Sequence, residues 1–330
     1  MPSTSTRPTV FVTGGAGYVG SHCCKAFAAA GWRVVVFDNL SRGWRELVQW
    51  GPLIEGDLLD RPALQAALDE TRPDIVAHFA AVAYVGESVE RPDLYYRNNL
   101  MGTLNLLDAM RQAEVKKLVF SSSCTTYGVP VRMPIDESHP QAPISPYGWS
   151  KLMAEKMLAD YDAAFGLRYV ALRYFNAAGA DLDGAIGERH EPETHLIPLA
   201  ILAAQAGDRT FTVNGLDFDT PDGSAVRDYV HVNDLADAHC RALTHLMAGG
   251  VSEAMNLGAE RGLSVLEILD AVETVSGRPI PRIIGPRRPG DPAAQVADAS
   301  KAREVLGWKP VHSDLETIVG TAWRWHGAHS

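Results

Sequence analysis

The chain has 330 residues, 46% of them hydrophobic, which is enough to bury one large core or two ordinary ones and argues against a disordered chain. A formal net charge of −10 excludes the basic face that a nucleic-acid backbone requires, so any phosphate handled here is expected on a small ligand. The polar start MPSTSTRPTV carries no apolar leader, the longest apolar run (LIPLAILAA, 196–204) is far short of a bilayer span, and the four cysteines show no CxxC or Cys/His spacing; a cytoplasmic protein without a membrane partner is expected.

Short β-branched runs then alternate with stretches of helical apolar spacing. TVFVTGG, WRVVVFDN, DIVAHFAA, KLVFSSS and RYVALRYFN read as strands, separated by helical segments such as AGYVGSHCCKAFAAAG, ALQAALDETR and MGTLNLLDAMRQAE. Strand and helix repeated five times predict a Rossmann-type, doubly wound α/β fold around a parallel sheet. Past residue 178 Pro and Gly become frequent and loops such as GLDFDTPDGSAVRD interrupt. The reading is a dinucleotide-binding domain over 1–178 and a smaller α/β substrate domain over 179–330, with part of 226–260 free to return to the first. No internal repeats or low-complexity tracts are present.

TGGAGYVG (13–20) follows the first strand and opens the first helix. Gly14 can make the tight turn, Gly17 can let the backbone approach a pyrophosphate, and Gly20 can let the helix pack on the sheet, while the helix N-terminus favours an anion. A glycine triplet alone is weak evidence. Here the second strand ends at Asp38, 24 residues after Gly14, where an acid would bind the adenosine ribose hydroxyls and repel a 2′-phosphate. NAD is therefore expected in preference to NADP, although Arg42 close by leaves NADP open.

In SPYGWSK (145–151), Ser145 is a good N-cap and Pro146 suits the first helical position. The helix continues with Leu152, Met153, Met157, Leu158 and Tyr161 as an apolar stripe, so Tyr147 and Lys151 share a face one turn apart. A phenol titrates near 10, and bringing it to neutrality takes roughly 4 kcal/mol. One cation about 4 Å away supplies a few kcal/mol of that in a partly screened site. Any helix can carry Y-x-x-x-K by chance, so the pair needs support. VFSSSCTTYG supplies it by ending a strand at the same sheet edge as the glycine loop, where Ser123 can hydrogen-bond a substrate hydroxyl or keto oxygen.

T-G-x-x-G-x-x-G, SSS…YG and Y-x-x-x-K in this order resemble the extended short-chain dehydrogenase/reductase superfamily. More narrowly, the chain resembles the UDP-glucose (UDP-galactose) 4-epimerase family over nearly its whole length, through VTGGAGYVGSH, FDNLSRG, HFAAVAYVGESV, YYRNNLMGT, FSSSCTTYG, SPYGWSK, LRYFNAAGA, HEPETHLIPLA, TPDGSAVRDYVHVNDLADAH and RRPGDP. The resemblance implies an NAD-dependent isomerase that inverts C4 of UDP-glucose and UDP-galactose through a 4-keto sugar, with the second domain binding the UDP-sugar. It implies that Ser123, Tyr147 and Lys151 are catalytic. It implies that Tyr18, Val19, Asp38, Asn39, Asp57, Leu58, Phe79, Ala80, Ala81, Asn98 and Phe175 line the NAD site beside the glycines, Tyr147 and Lys151. It further implies that Tyr174, Asn176, His195, Leu196, Arg227, Arg288 and Asp291 hold the UDP-sugar, with Gln295 beside the sugar ring, and that the protein is a homodimer through helices near 94–112 and 147–165.

Three positions depart from that pattern. Ala83 replaces a lysine common near the NAD phosphates, in a stretch that resembles UDP-arabinose 4-epimerases; Asn214 stands where an aromatic often lies near the uracil; and Gln295 is intermediate in bulk where size governs acceptance of N-acetylated sugars. UDP-arabinose/UDP-xylose and UDP-N-acetylglucosamine/galactosamine thus remain alternative substrates. A dehydratase would carry an Asp-Glu pair where Cys124 and Thr125 stand, and neither residue can do that acid–base work at neutral pH. A non-catalytic NAD-binding regulator has no need of Ser123, Tyr147 and Lys151 together. GERHEPETH contains His190, Glu191, Glu193 and His195, but Pro192 breaks the helix that HExxH geometry needs and the histidines are five apart, so no metal is expected.

Overall fold

The computed structural model describes residues 7–288 and 290–328. In chain order the first elements are β1 (Thr9–Thr13), α1 (Tyr18–Ala29), β2 (Arg33–Asp38), β3 (Leu53–Glu55), α2 (Arg61–Thr71), β4 (Ile75–His78), α3 (Val85–Glu90), α4 (Pro92–Tyr95), α5 (Gly102–Gln112), β5 (Lys117–Ser123), α6 (Pro146–Phe165) and β6 (Arg168–Tyr174). There follow β7 (Asn176–Ala178), α7 (Leu196–Ala206), β8 (Phe211–Asn214), β9 (Val226–His231), α8 (Val232–Met247), β10 (Glu253–Leu257), β11 (Gly262–Ser264), α9 (Val265–Ser276), β12 (Arg282–Gly285), β13 (Ala294–Gln295), α10 (Ser300–Leu306) and α11 (Leu315–Ala328).

Seven strands form one sheet in the order β3-β2-β1-β4-β5-β6-β10. The pairings β1–β2, β1–β4, β2–β3 and β4–β5 are parallel, so the expected Rossmann-type architecture is present. β1 and β4 are buried along their whole length, which is why their middles, VFV and IVA, read as continuous rather than alternating apolar residues. The sequence pattern missed β3, a three-residue strand that is only partly buried, and β10, which comes from far along the chain. The order reverses between β1 and β4, so the carboxyl ends of these strands flank the crevice where ligands of open α/β sheets sit.

The chain forms two compact units that interleave in sequence. The first takes the chain up to Ser123, then Ser145–Leu172 and Ala236–Ala254; the second takes Cys124–Ile144, Arg173–Leu235 and the chain from Met255. Within the first, Phe11, Phe37, Leu68, Leu106, Leu107, Phe120 and Leu158 pack one core. Within the second, Ile197, Ile201, Val213, Leu263, Leu269 and Ile318 pack another. The N-terminus of α6 forms as its residues dictate: the Ser145 hydroxyl accepts from Gly148 N at 3.2 Å, Pro146 occupies the first turn, and Gly166 ends the helix in the left-handed conformation.

Candidate active site

The first unit brings the glycine loop, Asp38 and the Tyr147/Lys151 pair to the carboxyl edge of its sheet. Gly14 adopts φ +76°, and a Cβ there would lie 2.4 Å from Ala80 N. The cause is local: Phe79 N and Ala80 N both donate to Thr13 O, at 2.9 and 3.0 Å, drawing the chain after β4 across the turn. A Cβ on Gly20 would lie 2.2 Å from Gly14 O, so helix and turn demand glycine at both positions. At Gly17 a Cβ would meet only Gly14 O at 3.4 Å, an ordinary contact, so protein packing alone does not explain that glycine. Gly17 is also the N-cap of α1 and makes no side-chain cap hydrogen bond; Tyr18, Val19 and Gly20 follow it in the first turn.

Asp38 ends β2 and is buried. Its carboxylate accepts from Ala16 N at 3.0 Å and Leu40 N at 2.8 Å, which fixes its plane; burial raises its pKa, against these two bonds. Asn39 donates to Asp57 at 2.9 Å, and Asp57 accepts from Leu59 N at 2.8 Å. Leu58 is buried, its carbonyl taken by Asn105 at 2.9 Å. Phe79 packs on the His239 ring at 4.8 Å, Ala81 lies in the loop after β4, and Asn98 donates to Leu94 O at 2.9 Å. Arg42 is tied to Glu87 at 2.6 Å and lies over the Tyr84 ring, so its guanidinium is already engaged.

Tyr147 is buried, edge-on to Tyr95 with ring centroids 6.3 Å apart. Lys151 is buried one turn further along α6. Its ammonium donates to Ser121 O at 2.8 Å and lies 4.9 Å from the Phe120 ring centroid and 5.9 Å from that of Tyr147. This bond fastens the face of α6 that carries the pair to the last turn of β5, which ends at buried Ser123. Burial lowers the Lys151 pKa to about 7, with Glu155 opposing. Glu155 is buried four residues on and accepts from Ser122 Oγ. The arrangement is suited to moving a proton at a carbon-bound oxygen: a phenol, a lysine whose charge is sensitive to its surroundings, and a serine hydroxyl.

Two residues of this edge went unread in the sequence. His78, at the end of β4, bonds Thr13 Oγ1 at 2.6 Å and Thr103 Oγ1 at 3.0 Å, and burial lowers its pKa to about 3, so it serves as a neutral strut. Asn99 exchanges bonds with the Val82 backbone and reaches Ser150 on α6 at 3.0 Å. Their partners lie 17 to 65 residues away, beyond any local pattern.

The second unit gathers most of the residues expected at the UDP-sugar. Arg227 on β9 pairs with Asp291 and donates to Val226 O at 2.6 Å. Gln295 on β13 is in register with Arg227 and donates to Gly128 O at 3.2 Å. Asp291 N donates to Arg288 O at 3.1 Å across a turn in which Gly290 has φ +77°, and Arg288 is exposed. Asn176 on β7 donates to Asp228 O at 2.8 Å, one residue after Arg227. Buried Asp228 accepts from the amides of Ala259, Glu260 and Ala297, a clamp with no local sequence signature. Tyr174 ends β6, while Phe175 is buried with Cys124, Tyr127, Ile135 and Ala297. Cys124 is thus a core side chain at the place where a dehydratase needs an acid.

His195 is the N-cap residue of α7 and precedes Leu196, its first residue. It belongs to a group the spacing argument did not anticipate: ligand atoms of Glu188, His190, Glu193 and His195 all lie within 4.8 Å of one another. His195 Nδ1 is 3.0 Å from both Glu188 and Glu193; His190 Nδ1 is 3.2 Å from Glu188 and 3.6 Å from Glu193. Against the opposing effect of burial, these carboxylates raise His190 to about 9 and His195 to about 10. Both carboxyls are lowered in turn despite their burial.

Comparison with known proteins follows the same lines. Residues 10–258 match the NAD dependent epimerase/dehydratase family. The chain is 54% identical over 318 residues to the UDP-glucose 4-epimerase of Rhizobium leguminosarum bv. trifolii, covering 96% of this chain and 97% of that one. It superposes with TM-score 0.95 and 53% identity on the Brucella ovis UDP-glucose 4-epimerase solved with NAD, covering 97% of this chain and 98% of that one. It also superposes with TM-score 0.94 and 40% identity on a Stenotrophomonas maltophila UDP-glucose 4-epimerase solved with NAD and formylated UDP-arabinopyranose, covering 98% of this chain and 99% of that one.

Proposed function

The chain belongs to the NAD dependent epimerase/dehydratase family, and from that premise we propose that it interconverts UDP-glucose and UDP-galactose by inverting C4 through a transient 4-keto sugar. The observation that carries this reading is the identity of 54% to a UDP-glucose 4-epimerase over nearly the whole of both chains.

The residues fit NAD. The turn demands Gly14 and Gly20 for its own packing, but Gly17 only for an approaching ligand, and the α1 N-terminus has no side-chain cap. Asp38 presents a fixed carboxylate for ribose hydroxyls, and Arg42, paired with Glu87, offers no ready partner for a 2′-phosphate. Bound NAD supplies what these side chains lack, a centre that accepts the hydride of C4 and returns it to the opposite face.

Tyr147 as phenolate takes the proton of the sugar 4-hydroxyl and gives it back after the ketone has turned. Lys151 stabilises that phenolate: its own pKa of about 7 reflects a buried amine, and an anion one turn away draws it back to the charged form. Ser123 donates to the 4-oxygen and orients it. Arg227 and Arg288 fork onto the diphosphate, Asp291 and Asn176 hold the arginine and the β9 backbone, and Gln295 stands beside the sugar. Firm binding of UDP with few anchors on the ring is what a reaction that must turn the ring requires.

Trp149 and Met153, one turn apart on α6, and Met101 just before α5 are exposed large apolar side chains, which supports a homodimer through these helices. No helix among the described residues is long and apolar enough to cross a membrane, and no disulfide joins the four cysteines, which supports a cytoplasmic setting. Purified protein incubated with UDP-galactose without added NAD should produce UDP-glucose, followed by NMR of the C4 proton. Absence of inversion, or a need for NAD in stoichiometric amounts, would refute the reading.

A further inference from the structure

From the side-chain geometry of Glu188, His190, Glu193 and His195 we propose that the loop preceding α7 is a binding site for one divalent transition-metal ion of the Zn2+ class, sharing His195 with the residues that the family resemblance puts at the UDP-sugar. Two imidazole nitrogens and two carboxylates are a donor set that suits Zn2+ rather than Mg2+ or Ca2+, which prefer oxygen throughout. The distances agree. Zn2+ binds such ligands at about 2.0–2.2 Å, so the edges of a tetrahedron around it measure about 3.4 Å and no two ligands exceed about 4.4 Å. The four His–Glu separations, 3.0, 3.0, 3.2 and 3.6 Å, are within a few tenths of an ångström of that edge, and ligand atoms as far as 4.8 Å apart close onto one ion with a side-chain adjustment of about 1 Å.

The group is held in place by its surroundings. The Trp325 indole on α11 donates to Glu188 O at 3.0 Å, and Gly187 lies so close to that ring that a Cβ would come within 2.3 Å of it. Glu193 is oriented by the amides of Thr194 and His195, at 2.7 and 2.8 Å. Second-sphere bonds of this kind hold ligands ready for a metal. Glu188 and Glu193 are nearly buried, and the two histidine rings stand 4.7 Å apart; one divalent ion would take the place of the two imidazolium protons between the same carboxylates. The expectation of no metal rested on helical HExxH geometry, whereas this segment is a loop in which the four side chains come together.

The full-length protein, dialysed against EDTA and then free of chelator, is titrated with Zn2+ at pH 8 by calorimetry, with Mg2+ as the control ion. The result expected is one Zn2+ per chain and no uptake of Mg2+, with Co2+ giving the visible bands of a four-coordinate site. Glu188→Gln and His190→Gln should each weaken Zn2+ binding on the order of 10–100-fold or more, at least what loss of an outer-sphere partner costs, while Cys240→Ser leaves it unchanged. Should a variant fold poorly, long-range 15N NMR of the wild-type histidine rings decides: Zn2+ must shift His190 and His195. Uptake below a tenth of an equivalent, uptake indifferent to both variants, or shifts confined to other histidines overturns the proposal. None of these readouts depends on epimerase activity, so the two proposals stand or fall separately.

Discussion

Replacing Lys151 by Met separates what the lysine does for catalysis from what its burial costs the fold. Lowering the amine from its ordinary value to about 7 corresponds to roughly 5 kcal/mol against the charged form. For a base with a depressed native pKa, the folded protein binds fewer protons than the unfolded chain between about pH 7 and 10.5. Wild-type stability should therefore rise with pH through that window, and the variant's should lack the rise. Below pH 7 the variant escapes the burial cost but loses the bond to Ser121 O, about 1.5–3 kcal/mol for a charged donor. It also loses the contact with Phe120, about 0.5–2 kcal/mol. Net stabilisation of about 1–2 kcal/mol at pH 6 should turn into destabilisation of similar size near pH 10, read as the difference in melting temperature of the NAD-free proteins. Activity should move the other way. Without the cation less of Tyr147 is present as phenolate at pH 7, so the variant's rate loss should be larger at pH 7 than at pH 9.5. A stability difference independent of pH, or a rate loss equal at pH 7 and 9.5, refutes the reasoning.

Tyr147→Phe should lower turnover of UDP-galactose by about 10²–10⁴-fold while leaving bound NAD, released by acid and quantified, at the wild-type level. The two glycine substitutions should part company. Gly14→Ala forces a Cβ to within 2.4 Å of the Ala80 amide and should lower NAD content and also the melting temperature of the NAD-free protein, whereas Gly17→Ala should lose NAD while its NAD-free form melts near the NAD-free wild type. Arg227→Ala removes a charged donor and should weaken UDP binding, measured by calorimetry, by about 10–100-fold, with little change in the melting temperature beyond the lost pair with Asp291.

What could be read from the sequence is what the chain decides within a few residues. Ser145 and Pro146 start α6 because cap, bond and amide lie within four positions, and once that start is known the helical period alone puts Tyr147 and Lys151 on one face. The central strands were legible because both their faces are covered, so their middles are runs of apolar residues such as VFV and IVA; β3, short and half exposed, carries no such signature. Residues whose purpose is a distant partner stayed hidden. His78 looks like any strand histidine until Thr13 and Thr103 are seen on its two nitrogens, and Glu188 like any loop acid until His190 and His195 fold back on it. The reverse case is Gly17. Its neighbours in the structure would accept a methyl group, so packing alone makes the residue look dispensable, and only its place between strand and helix explains it. At a position that the protein's own atoms do not require, flanked by two glycines that they do require, we propose that the constraint comes from a bound partner. There the sequence motif reports on the ligand while the coordinates report on the protein, and the contrast between Gly14→Ala and Gly17→Ala measures the two influences separately.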